Sequence, residues 1–138
     1  MAEKNYHMSL DLTMSIINGK WKSLILCKLG MKSRRNGELL RKIPDISQKV
    51  LTQQLNELID DGVVRRVRFP GLPLHVEYSL TDEGKSLRKV LIDMSIWGEK
   101  HAAKLQESGQ TVSFVSDNFN GYIKMNQNKK DVNQQLVE

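Results

Sequence analysis

Four side chains between residues 49 and 56 fall on one side of a helical period: Lys49, Thr52, Gln53 and Asn56. An ammonium, a hydroxyl and two amides are groups that reach both phosphate oxygens and base edges in a DNA groove. The other side of the same stretch, Ile46 to Gly62, carries Leu51, Leu55, Leu58 and Ile59, and no acidic residue interrupts the polar row. This spacing predicts an amphipathic helix with one face committed to a core and the other free for a polyanion.

The flanking chain strengthens that expectation. Pro44-Asp45-Ile46-Ser47 reads as a turn, because proline disfavours helix in the residue before it, and Ser47 or Asp45 can accept hydrogen bonds from the N–H groups opening the next helix. A short helix around Gly37 to Lys42 precedes the turn, so the three pieces make a helix-turn-helix. Arg34 and Arg35 stand at its entrance as candidate phosphate contacts. After Asp61-Gly62 the apolar period changes from 3.6 to 2. VVRRVRF from Val63 and the alternation of Val76, Tyr78 and Leu80 predict two strands, and Phe69-Pro70-Gly71-Leu72-Pro73 between them predicts a reversal. Arg65, Arg66, Arg68 and His75 make this hairpin a basic wing beside the polar helix.

Charge is distributed to match. The chain has a net charge of +5, yet residues 20–68 hold 12 Lys or Arg against 5 Asp or Glu, a local +7, while the segments on either side are each −1. The positive charge therefore surrounds the predicted helix-turn-helix, as a nucleic-acid surface requires. Other classes lack their residues. One cysteine, Cys27, and three scattered histidines, His7, His75 and His101, offer no zinc spacing, and no cofactor site is expected. Cys27 lies off its helix's main apolar stripe and reads as a small, partly buried residue. No carboxylate pair, nucleophile with a base or glycine-rich phosphate loop appears, so no enzymatic activity is expected. With no apolar run long enough to span a bilayer and no signal-peptide layout, the expectation is a cytoplasmic protein.

The remaining elements must position the site. Residues 1–8 read as an N-terminal arm. Leu10, Met14 and Ile17 mark a first helix, and Trp21, Leu24, Ile25 and Leu29 a second after a break at Asn18-Gly19. Thr81-Asp82-Glu83 opens a long helix that runs to about Glu107, with a hydroxyl cap and two carboxylates at the positive end of the dipole. Its apolar residues Leu87, Val90, Leu91, Met94, Trp97 and Leu105 form one stripe, and Ile92, Ile96 and Ala103 lie toward another side. One small core does not cover both, so part of this helix is expected to pair with a second subunit. Residues 9–107 thus form the DNA-binding and dimerisation domain. Residues 108–138 form a polar C-terminal tail expected to dock in part through Val112, Phe114, Val115, Phe119, Tyr122, Ile123 and Met125. The fold class is mostly α with a small β-hairpin.

In this order the elements spell a winged helix-turn-helix, and several segments resemble the HxlR family of bacterial transcriptional regulators, relatives of the MarR type. The matching pieces are Gly19-Lys20-Trp21-Lys22, Arg35 with Glu38-Leu39, ISQKVLTQQL from Ile46 to Leu55, Asp61-Gly62, Val76 to Thr81 with Gly84, and Trp97-Gly98, so the resemblance covers about residues 8–100. It implies a homodimer held by its N- and C-terminal helices, with Leu10, Met14, Trp21, Leu91, Met94 and Trp97 at the interface. By position it makes Ser47, Gln48, Lys49, Thr52 and Gln53 DNA contacts and Arg65, Arg66 and Arg68 wing contacts; Asn56 joins them from the polar row. Such a dimer would read a pseudo-palindromic double-stranded operator, with repression the expected outcome and an unknown small-molecule effector as a further partner.

The chain departs from the family pattern at three places. Many members carry a cysteine ahead of the first helix, used in some as a redox or electrophile sensor; this chain has Met8 there, and Cys27 does not align with it. Asn36 replaces a usual Phe, and Asn56 a frequent Arg. A different class also fits the basic hairpin: a winged-helix module that docks an acidic protein.

Overall fold

A computed structural model of the chain describes residues 3–114. Its elements follow the order α1 (Ser9–Ile17), α2 (Lys22–Leu29), α3 (Asn36–Lys42), α4 (Gln48–Asp60), β1 (Val64–Phe69), β2 (His75–Leu80) and α5 (Asp82–Glu107). The chain divides after Lys85, so that one compact unit carries α1 to β2 with the first turn of α5, and the second begins at Ser86.

The core of the first unit is aliphatic. Ile25, Leu26 and Leu29 of α2, Leu39 of α3, Leu51, Leu55 and Leu58 of α4, and Val64 and Leu80 of the hairpin are buried. Helix α2 packs against α3, α4 and β2, while α4 also meets β1. Each such side chain contributes about 1.5–3 kcal/mol by leaving water. The spacing of the leucines in α4 is what turns its polar row outward.

Turn chemistry sets the ends of α4. Asp45 takes a left-handed φ of 71°, a conformation that Asp tolerates better than most residues. Ser47, of the two predicted candidates, is the cap: its Oγ accepts from the N–H of Val50 at 3.1 Å. At the other end Gly62 adopts φ 78°, its N–H bonds the Ile59 carbonyl, and the Val63 N–H bonds that of Leu58. These two bonds satisfy carbonyls that the helix leaves open and swing the chain into β1. Gly109, φ 90°, closes α5 in the same way, with its own N–H on Gln106 and that of Gln110 on Leu105.

The hairpin is antiparallel, with Val64 opposite Leu80, Arg66 opposite Tyr78 and Phe69 opposite His75. Its base is fastened by Thr81, whose Oγ1 donates to the Gly62 carbonyl at 2.6 Å and accepts from the Gly84 N–H at 3.1 Å. Gly84 is required there, because a Cβ would collide with the Val63 carbonyl. At the tip, the Phe69 and His75 rings stack at 4.6 Å, and Leu72 is fully exposed.

In the second unit, Leu91, Ile92 and Ala102 are buried, whereas Val90, Met94 and Trp97 are exposed and Ala103 faces solvent. Beyond α5, Gln106 donates to the Val112 carbonyl at 2.9 Å. The tail expectation from Val115 onward, with Phe119, Tyr122, Ile123 and Met125, lies outside the described residues.

Candidate nucleic-acid interface

Helix α3, the turn and α4 stand as the helix-turn-helix that the spacing predicts, with the arginine-bearing hairpin following directly. Lys49, Thr52, Gln53 and Asn56 are all exposed, opposite the three buried leucines. Ser47, Gln48 and Arg35 are exposed as well. Ser47 spends an oxygen lone pair on the cap but keeps its O–H proton.

Few of these polar groups are loose. Asn36, the first residue of α3, and Gln48, the first of α4, form a reciprocal amide pair: Asn36 Nδ2 donates to Gln48 Oε1 at 2.5 Å and Gln48 Nε2 to Asn36 Oδ1 at 2.9 Å. Gln48 Nε2 also donates to Thr52 Oγ1 at 2.9 Å. At the far end of the row, Arg66 Nη2 donates to Asn56 Oδ1 at 2.9 Å, and its guanidinium carbon lies 5.7 Å from the centre of the Tyr78 ring. A hydrogen bond between side chains therefore joins the wing to the polar row of α4.

Strand alternation divides the arginines. Arg66 and Arg68 share one face of β1 and Arg65 takes the other, where its Nε donates to Ser79 Oγ at 3.0 Å. All three are exposed. His75 and Glu77 approach at 3.9 Å and Ser33 donates to Glu77 at 3.4 Å, so the acidic residue of the wing is held by neighbours within the fold.

Arg34 departs from its expected role. It is 7% exposed; its Nε donates to the Lys28 carbonyl at 2.7 Å and its Nη1 lies 3.6 Å from Glu38. Its backbone also exchanges two hydrogen bonds with Tyr78, pairing residue 34 to the outer edge of β2. Arg34 therefore fastens the wing to the helices and does not face a phosphate. Arg35, next along, remains available. Glu38 receives the Arg35 backbone N–H and sits among Lys32, Arg34 and Arg41, which together hold its carboxyl below the ordinary range.

Glu57 borders the polar row, which is therefore less free of acid than the spacing implied. It takes an ion pair from Lys22 of α2 at 2.6 Å and a 3.4 Å hydrogen bond from Gln53. The Lys22 hydrogen bond, with the attraction of the ammonium, lowers the Glu57 carboxyl below its ordinary value. Lys22 is itself buried, so this pair ties α2 to α4 with the charge on Glu57 already spoken for.

Two of these partnerships, those of Asn36 and Tyr78, were not anticipated from the sequence. Asn36 belongs to a different helix from Gln48, and no periodicity links residues across a turn. Tyr78 was legible in principle, since it lies directly opposite Arg66 in the hairpin register.

A polar, exposed second helix after a turn, followed by a basic antiparallel hairpin, defines a winged helix-turn-helix of the kind found in DNA-binding regulators. The chain belongs to the HxlR-like helix-turn-helix family, whose model matches residues 16–129. It is 41% identical over 117 residues to YtcD of Bacillus subtilis (strain 168), described as an uncharacterized HTH-type transcriptional regulator, covering 85% of this chain and 91% of that protein. Among solved structures, it is similar to a MarR-family transcriptional regulator from Enterococcus faecalis V583, with 42% identity, a TM-score of 0.69 and coverage of 75% of this chain and 94% of that one. It is also similar to the redox regulator HypR in its reduced form, with 37% identity, a TM-score of 0.67 and coverage of 73% and 99%. The protein is thus a DNA-binding transcriptional regulator of this family. No helix among the described residues is long and apolar enough to cross a membrane.

Proposed function

We propose that the protein acts as a homodimer that reads a pseudo-palindromic operator, each copy laying the Lys49, Thr52, Gln53 and Asn56 face of α4 in a major groove. The observation that carries this reading is that this face is exposed along its whole length and is bonded through Asn56 to Arg66 of the basic wing. Ser47 and Gln48 join it at the start of α4. Arg35 and Lys49 meet phosphates. Arg65, Arg66 and Arg68 extend the phosphate contact along the wing, while Gln53 and Asn56 reach base edges, adenine above all. Most simply, occupying the operator represses transcription.

The second copy is supported by apolar side chains that are exposed among the described residues. Helix α1 exposes Leu10 and Met14, and α5 exposes Met94 and Trp97, whose ring stacks on His101 at 4.9 Å. Trp21 is half-buried under the Lys20 ammonium, 4.7 Å from its ring, and keeps a smaller share of that surface. Leu91 does not belong to the exposed set: at 4% exposure it is already buried in one chain, and Val90, at 46%, stands out beside Met94 and Trp97 instead.

Selection of DNA from a random pool, followed by binding of selected and scrambled duplexes over a salt series, tests the proposal. The expected outcome is a two-fold-related sequence bound about a thousandfold or more tighter than scrambled DNA. Equal affinity for both would overturn it.

A further inference from the structure

Gln48 cannot act as a free glutamine in this structure. An amide group has two protons and two carbonyl lone pairs. Gln48 places one proton on Asn36 Oδ1 and the other on Thr52 Oγ1, and accepts one bond from Asn36 Nδ2. What remains is a single acceptor site on Oε1. A free glutamine would hold adenine at two points, giving a proton to N7 and taking one from the N6 amino group. With both protons spent, Gln48 can only accept.

We infer that Asn36 is a specificity-determining residue: from the start of α3 it positions Gln48 as an acceptor, so that the base Gln48 meets needs an exocyclic amino group in the major groove. Adenine and cytosine both offer one there, and guanine and thymine do not. The position contacted by Gln48 in each half-site therefore takes adenine or cytosine with little distinction between them. This inference rests on the proposed entry of α4 into the major groove. It concerns the division of work along the row: Gln48 selects for an amino group, and the amides of Gln53 and Asn56 carry any stricter reading of adenine.

The geometry also says what removing Asn36 does. Without it, one Gln48 proton and one lone pair are released while the bond to Thr52 persists, and the two-point contact with adenine becomes available. Asn36 is the first residue of its helix, where a side chain is not needed to complete the backbone bonds.

The test uses the full chain and a panel of operators carrying each of the four bases at the Gln48 position, for the wild type, Asn36→Ala, Gln48→Ala and the double variant, with unfolding midpoints measured alongside. For the wild type, adenine and cytosine bind within a few-fold of each other and about tenfold tighter than guanine or thymine. For Asn36→Ala, adenine gains about tenfold over cytosine. Gln48→Ala flattens the preference, and the double variant matches it, because Asn36 acts through Gln48. The wild-type panel tests the acceptor-only state without any substitution. A wild-type preference for guanine or thymine would overturn the inference by placing the amides the other way round. So would an unchanged preference in a folded Asn36→Ala protein, or a double variant that differs from Gln48→Ala. A wild type that selects no sequence at all would instead overturn the proposed function on which the inference stands.

Discussion

Helices α4 and α1 are both amphipathic, and they dispose of their apolar residues in opposite ways. In α4 the residues at core spacing, Leu51, Leu55 and Leu58, are buried and the polar row faces out. In α1 Ile17 alone is buried, while Leu10, Leu12 and Met14 are exposed. A nine-residue helix has little stability of its own in water, so a helix such as α1 depends on surfaces that pack against it. The contrast separates the part of the molecule that is complete in one chain from the part proposed to be completed by a second. α5 repeats it within one element, with Leu91 and Ile92 inside and Val90, Met94 and Trp97 outside.

The largest expected effect tests the complete part. Leu55→Ala, at a side chain only 1% exposed, should cost about 2–5 kcal/mol in denaturant unfolding; a loss well under 1 kcal/mol would mean that the α4 core is looser than its burial indicates. Next comes the uncovered part. Trp97→Asp should raise the dimer dissociation constant by about 30-fold or more in sedimentation measurements, and a dimer of undiminished affinity would remove α5 from the proposed interface. Because Trp97 is 67% exposed, the same change should leave the core of the single chain undisturbed.

A smaller effect lies at the Lys22–Glu57 pair. Glu57→Gln leaves the buried ammonium without its counter-charge, and with Glu57 42% exposed the expected cost is about 1 kcal/mol. The folded Glu57 carboxyl lies below its ordinary value, so the pair stabilises fully above about pH 4.3 and loses its contribution as pH falls through the folded value. Wild type and Glu57→Gln should therefore converge in stability on acidification, and a constant gap down to strongly acidic pH would contradict the assignment. The smallest effect is at the exposed row: Lys49→Ala should weaken binding to all sequences alike and reduce the salt slope by about 1. An unaltered slope would mean that Lys49 meets no phosphate.

Much of this architecture was legible in residue order because it rests on local rules. The leucine spacing of α4, the Ser47 cap, the Gly62 stop and the change to a period of two at Val63 each act within a few residues, and each predicted element stands where its pattern lies. What escaped was set by contacts between elements. Arg34 and Arg35 are adjacent and chemically identical, yet the backbone pairing of residue 34 with Tyr78 turns one inward and leaves the other exposed. Leu91 and Val90 are likewise adjacent on an apolar stripe, and only the packed structure separates the buried one from the exposed one. The Lys22–Glu57 pair, at 2.6 Å, joins two helices that no local pattern connects.

The bond from Arg66 to Asn56 bears on how far such regulators can be taken apart. Residues 48–56 form the outward row of one helix, but the row is held at its start by a residue of the preceding helix and at its end by a residue of the wing. A transplant of α4 alone into a relative would carry the outward row and leave behind the two groups that hold it. The stretch that keeps both holding residues with the row runs from residue 36 to residue 66, and extending it to residue 78 brings the aromatic ring beneath the arginine. Recognition in this protein is modular at the scale of the whole winged motif, and not at the scale of the helix.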